Sequence, residues 1–454
     1  MLSISRHEFN TATVVHISLH SQIPSMRCLP PSPDSQDGAV RRSELCYDVI
    51  LHIVRELNDQ ELLAITWTCK QFREDGIKEL LSRGVHLKED KITSFHTLVT
   101  ASSERFWWLR GLFLQGPPCR DTGTLNHLVE LFNGALNLRV MMVRDLENLL
   151  SLDNRIAPAL ANLLRLRQLY VDVGGNESYN LVQSLLPRLA KVSIEFTDTE
   201  RVFYLGELLV HSSNDLTELH VSGASFANHN SRFLQINTLV IMSGETPLLA
   251  DLISAFPNLR VLQMQVYDDF WPDNTVTDNH HYHTQRAENA IIQERDHWQH
   301  LDRLSIGVPG LYTFGITCPI THLIVRSIDA DKLSALTSAL SDYHPACLEL
   351  EFGNSFEFVP LPQALPAPII PGLTHFSLVW NLKGSPLDYN PTNDLLALLR
   401  PLRIRCLMLY LRDMRSDLVE SMLTSNVLVD QLIQTLTQTP KTLTQTLYTP
   451  IQTL

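Results

Sequence analysis

Five histidines crowd one stretch of the chain: His280, His281 and His283, then His297 and His300. Imidazole is a common zinc ligand, and two ligands must share a face to hold one ion. His281 and His283 would share one side of a strand, and His297 and His300 one side of a helix. Asp268, Asp269, Asp273 and Asp278 lie just before them. The stretch therefore also reads as a polar, exposed loop with solvated histidines, and neither a metal site nor a cofactor is assigned to it. A metal-dependent enzyme built on these histidines stays open as one reading of the chain.

Other signs of catalysis are missing. The sequence contains no G-x-G-x-x-G, G-x-x-x-x-G-K, H-E-x-x-H or G-x-S-x-G, the patterns that cradle phosphates, hold a protease zinc or present a hydrolase serine. Ser, His and Asp recur throughout, but a triad is recognised by geometry, not by the presence of its members. No catalytic residue is nominated, and the chain is expected not to be an enzyme. Trp107 and Trp108 read as packing beside a domain junction. Pro360, Pro362, Pro366, Pro368 and Pro371 read as a semi-rigid connector.

Composition narrows the partners. The formal charge is -13, from 36 basic and 49 acidic residues, which disfavours a phosphate backbone or an anionic membrane, since both require clustered Lys and Arg. Seven cysteines, scattered and never spaced as CxxC, suggest neither a disulfide framework nor a zinc ribbon. No apolar run approaches the roughly 18 residues of a membrane span. An intracellular location, cytoplasm or nucleus, is expected.

The elements that must position any site follow from periodicity. Residues 1–42, with Pro30, Pro31 and Pro33, read as a disordered leader. Within 43–82, Leu45, Val49, Ile50, Ile53, Val54 and Leu57 recur at helical spacing. A second helix is expected over Glu61 to Cys69, with Asp59 as its cap, and a third over Ile77 to Leu81, stopped by Gly84.

From residue 83 to about 425 the pattern L-x-x-L-x-L repeats. It occurs at Leu109-Leu112-Leu114, Leu138-Met141-Val143, Leu166-Leu169-Val171, Leu189-Val192-Ile194, Leu216-Leu219-Val221 and Ile236-Leu239-Ile241. It continues at Leu259-Leu262-Met264, Leu301-Leu304-Ile306, Ile320-Leu323-Val325, Cys347-Leu350-Phe352, Leu373-Phe376-Leu378 and Ile404-Leu407-Leu409. Steps of 29, 28, 23, 27, 20, 23, 42, 19, 27, 26 and 31 residues centre near the roughly 20 to 29 of leucine-rich repeats, and the longest marks an insertion near 267–300. The alternation within each unit predicts a strand. Helical patterns between units, at 125–136, 178–186, 203–210, 247–256, 332–343 and 393–399, predict stacked βα units with parallel strands. Val85-His86-Leu87 reads as an irregular first strand. The Asn or Cys that a regular repeat places three residues after its last strand leucine is present here only as Asn381. The segment 426–454 is a low-complexity Thr/Gln/Leu tail.

The residues Leu45, Asp48, Val49, Ile53, Leu57, Asp59, Leu62, Leu63, Cys69 and Phe72 give the stretch from Leu45 to Arg73 its resemblance to the F-box. It looks most like the F-box proteins of fungi that carry degenerate leucine-rich repeats. Cys46 stands where that family has proline. The resemblance implies that Leu45, Cys46, Val49, Ile50, Ile53, Leu57, Leu62 and Leu63 dock on the Skp adaptor of a cullin-based ubiquitin ligase, while the repeats hold a protein target. The expected fold class is α/β: a small three-helix F-box-like unit followed by an irregular leucine-rich-repeat solenoid. A repeat scaffold that binds a protein without recruiting a ligase is the alternative. Target choice would lie in strand residues such as Arg110, Gln168, Glu218 and Arg303.

Overall fold

The computed structural model describes residues 47–66, 70–116, 121–185, 189–197, 202–209, 215–226, 232–242, 247–265, 280–352, 365, 372–381, 397–399, 402 and 406–412. The expected leader, Leu45, Cys46, Cys69, Asp268 to Asp278, the connector prolines, Ile404 and the expected tail lie outside them. The chain divides into two compact units, Met1–Ile53 and Val54–Leu454, and the division falls inside the first helix.

Three helices open the described chain: α1 (Tyr47–Glu56), α2 (Asp59–Thr66) and α3 (Lys70–Arg83). Asn58, not Asp59, caps α2. Its side-chain oxygen accepts from Glu61 N–H, and Glu61 Oε2 accepts from Asn58 N–H, each at 3.0 Å. This is a reciprocal capping box, which needs Glu at the third helical position and so selects Asn58. Gly84 ends α3 with φ at +107°, a conformation that side chains resist.

The second unit continues with β1 (Val85–Lys88), α4 (Ile92–Thr100), α5 (Ser103–Trp108), β2 (Gly111–Gln115), α6 (Thr122–Gly134), β3 (Val140–Asp145), α7 (Leu146–Leu152) and α8 (Ile156–Ala161). Then come β4 (Gln168–Gly174), α9 (Asn176–Leu185), β5 (Lys191–Phe196), β6 (Phe203–Tyr204), α10 (Leu205–Leu209), β7 (Glu218–Ser222), β8 (Ala224–Ser225) and β9 (Thr238–Ile241). The remainder is α11 (Leu249–Ala255), β10 (Val261–Met264), α12 (His280–Arg295), β11 (Leu301–Gly307), α13 (Val308–Phe314), β12 (Ile320–Ile328), α14 (Leu333–Leu340), β13 (Cys347–Phe352), β14 (His375–Asn381) and β15 (Cys406–Arg412).

Thirteen of these strands form one sheet in chain order, and every pair is parallel; β6 and β8 pair separately. Parallel neighbours need a long crossover, and helices supply most of them. The chain is thus α/β, a large parallel sheet alternating with helices. The second and third positions of all twelve repeat units fall on strands of this sheet, and Val85 to Leu87 falls on β1.

The ladder shows why the repeat works. Leu112, Met141, Leu169, Val192 and Leu219 pair rung to rung and share one apolar cluster with Leu128 and Phe132 of α6, Leu160 of α8 and Val182 of α9. Each fully buried leucine removes apolar area worth about 2 kcal/mol. At β13 the expected unit is displaced by two residues. Leu323 and Val325 pair with Leu348 and Leu350, not with Leu350 and Phe352. A two-residue slip keeps every side chain on its face, so alternation alone does not register it.

Asparagines act at another place than the repeat pattern suggests. Asn137, just before Leu138, donates to Trp107 O at 3.0 Å, and Asn258, just before Leu259, to Leu234 O at 2.9 Å. Each ties a turn to the preceding repeat. Glu147 of α7 does the same for α9, accepting from the backbone N–H groups of Gly175, Glu177 and Ser178 at 2.9 to 3.0 Å. These are donors that a helix start leaves without partners.

Candidate protein-binding surfaces

Val49 and Ile53 stand four residues apart on α1, so they share one helical face. They are 47% and 46% exposed. Leu63 on α2 is 51% exposed, whereas its neighbour Leu62 is fully buried and Leu57 half-buried. Of the eight residues expected at the adaptor interface, three therefore present apolar surface and Leu62 serves the interior. Leu45, Cys46 and the side chain of Ile50 lie outside the described residues.

Arg83, at the end of α3, fixes the last turn of α1. Its guanidinium donates to Leu57 O and Arg55 O, each at 2.6 Å, and to Val54 O at 3.4 Å, with Asp59 and Glu79 as carboxylate partners. Terminal helix carbonyls lack intrahelical donors and carry partial negative charge, so a cation there satisfies both. Sequence periodicity missed this residue, because its partners lie 26 to 29 positions away.

On the sheet, the position that precedes the first strand leucine carries two polar groups separated by Val261 of β10: Gln168, Lys191 and Glu218 in β4, β5 and β7, and Arg303 and His322 in β11 and β12. The first group is closed. Lys191 Nζ lies 2.5 Å from Glu218 Oε2, His220 Nε2 lies 3.0 Å from Glu218 Oε1, and Tyr170 donates to Gln168 Oε1 at 3.2 Å. The His220 hydrogen bond, aided by Lys191, holds the Glu218 carboxyl at about 2 against the opposing effect of burial. Glu218 in turn raises Lys191, and burial raises Tyr170. A carboxylate this acidic is a weak proton acceptor at neutral pH. The group therefore works as a fixed, charged surface feature.

The second group is open. His322 lies 3.9 Å from Glu349 Oε2 and Arg326 lies 3.8 Å from Glu351 Oε2, both beyond hydrogen-bonding distance. Burial raises the Glu349 carboxyl and lowers His322. Arg303 Nε, Arg326 Nε, Ser305 Oγ and Ser377 Oγ are buried with no hydrogen-bond partner among the described residues. Of the four strand residues expected to govern target choice, Gln168 and Glu218 thus lie in the closed group and Arg303 in the open one. Arg110 lies apart, at the start of the sheet.

His280, His281 and His283 stand on a helix, not on a strand or in a loop, whereas His297 and His300 lie beyond its end and share no helical face. In α12, Asn289 donates to Thr313 O at 2.9 Å, and Gln293 donates to Phe314 O and Gly315 O at 3.0 Å each while accepting from Thr317 N–H. His283 Nδ1 lies 2.8 Å from Tyr312 Oη. With Arg286, which donates to Tyr312 O, these polar side chains stand three to four apart and hold the helix to α13 and its following turn, and a polar stripe leaves no apolar period to read. His297 Nδ1 lies 3.1 Å from Gln293 O, and His300 Nε2 lies 3.0 Å from both Thr321 Oγ1 and Asp302 Oδ1. Among the described residues no group of three or more His, Cys, Asp or Glu is placed to hold a metal ion.

No family model matches the chain, and no curated protein matches it.

Among the described residues no helix is long and apolar enough to cross a membrane. What remains is a set of surfaces: an exposed apolar pair on α1, and a sheet bearing one closed and one open polar group.

Proposed function

We propose that the chain is the substrate-recognition adaptor of a cullin-based ubiquitin ligase, working inside the cell. Its N-terminal helices dock on the Skp adaptor and its strands, stacked as a leucine-rich-repeat solenoid, hold a protein target. The observation that carries the reading is the exposure of Val49 and Ile53. They are apolar, share a face, and belong to the stretch that resembles the F-box. Exposed apolar anchors at i and i+4 suit a helix that meets partner helices. The sequential parallel sheet supports the second half, since repeat stacking builds extended surfaces for protein binding.

The mechanism is proximity. Tethering a target beside a ubiquitin-carrying enzyme raises its effective concentration, and the adaptor itself supplies no chemistry. A scaffold without ligase recruitment is the second reading, favoured by Cys46 in place of the proline that pre-organises a first helical turn. Co-precipitation with purified Skp adaptor separates the two. The wild type recovers adaptor and the Val49→Asp, Ile53→Asp double variant does not; equal recovery by both, or by neither, favours the scaffold.

A further inference from the structure

We infer that a cavity at the first rungs of the sheet binds an oxyanion carried on a protein segment, either a phosphorylated or an acidic side chain. The cavity has a volume of about 380 Å³, and its charged lining is Arg83, Arg110 and Arg139, with no carboxylate. Asp59 and Glu79 balance Arg83, so the uncompensated charge at the hollow is that of Arg110 and Arg139, a local reversal of sign in a chain of net charge -13.

The backbone sets the arginines side by side. Arg110 and Arg139 each stand one residue before a strand, and Arg139 N–H donates to Arg110 O at 2.8 Å. Their Cα atoms are therefore about 5 Å apart, the spacing of neighbouring strands. Like charges on adjacent rungs repel. Yet neither guanidinium has a hydrogen bond or ion pair among the described residues. The next rung differs: Arg167, at the same repeat position, pairs with Asp215 at 3.1 Å. The chain neutralises the third arginine of the row internally and leaves the first two to an external anion. Arg83 lines the wall with its donors engaged by α1 and its charge balanced by Asp59 and Glu79.

The remaining walls fit a group presented on a peptide. Gly111 brings bare backbone to the hollow, and a Cβ there would stand 3.1 Å from Gly84 Cα. Phe113, stacked on His86 with ring centres 4.4 Å apart, offers an apolar side. Two adjacent guanidinium forks match the oxygen atoms of a phosphate or a carboxylate bidentately.

The inference rests on the strands being a protein-binding surface, but not on ligase recruitment. Its test uses the full chain without the Skp adaptor, so either proposal can fail while the other stands. Three fluorescent peptide libraries share randomised flanks and carry a central phosphoserine, glutamate or serine. The wild type should bind the phosphoserine or the glutamate library at least 10-fold more tightly than the serine library, and the tighter of the two names the source of the anion. Arg110→Gln with Arg139→Gln should abolish that preference, whereas Arg260→Gln, at the same repeat position elsewhere, should keep it. Should the double variant fold poorly, the exposed Arg139→Gln alone should reduce the preference severalfold. A preference that survives these substitutions, no preference for either anionic library, or binding of inorganic phosphate without any peptide overturns the inference.

Discussion

His220 Nε2 meets Glu218 Oε1 at 3.0 Å on the sheet, and Lys191 from the neighbouring strand meets the other oxygen at 2.5 Å. The folded chain thereby holds the Glu218 carboxyl at about 2, below its ordinary 4.5. A depressed carboxylate stabilises the fold fully above its unfolded value and loses that contribution as pH falls through the folded value. The window is therefore pH 4.5 down to about 2. Glu218→Gln should cost roughly 1–2 kcal/mol at neutral pH, allowing for solvent screening. Urea unfolding along a pH series should show the gap to wild type closing as pH falls through that window; a gap independent of pH contradicts the network.

Arg83 predicts a local effect. Arg83→Ala removes the donors to Val54 O, Arg55 O and Leu57 O, and hydrogen bonds from a charged group contribute about 1.5–3 kcal/mol, less where partly exposed. Hydrogen exchange should accelerate about 10-fold in residues 54–58 and stay unchanged in β9 to β12.

The repeat positions predict a contrast between two leucines. Leu219 is fully buried in the ladder, and Leu164 is 70% exposed in the turn before β4. Leu219→Ala should destabilise by about 2–5 kcal/mol, and Leu164→Ala by less than about 0.5 kcal/mol. Equal effects in denaturant titrations would mean that the ladder register is wrong.

For α12, Gln293 is the central tie, donating to three carbonyl oxygens and accepting from Thr317 N–H. Gln293→Leu leaves those buried groups unpaired at a cost of about 1–3 kcal/mol. Limited trypsin digestion should then cut faster after Arg286 and Arg295. Unchanged cleavage would show that the helix is held by other contacts.

How far these features can be read in the sequence depends on the range of the forces that make them. The strands are legible because alternation and the recurring first leucine act within six residues, as at Leu216-Leu219-Val221. The slip at β13 is not, because Leu348-Leu350 and Leu350-Phe352 satisfy one pattern. Leu125, Leu128, Val129 and Phe132 of α6 carry helical spacing, whereas α12 is bound by His283, Asn289 and Gln293 and offers none. Lys191 and Glu218 are 27 residues apart at one repeat position, so their pairing becomes readable once the register is known. Arg83 has no such guide.

The account turns on the exposed pair in α1. Titration calorimetry of purified Skp adaptor into the full chain measures it most directly, with circular dichroism to establish that each variant is folded. The wild type should bind with one-to-one stoichiometry, and Val49→Asp with Ile53→Asp should weaken binding at least 100-fold while Leu164→Asp leaves it unchanged. Equal heats from wild type and double variant, or no heat from either, would contradict adaptor function and leave the chain a binding scaffold.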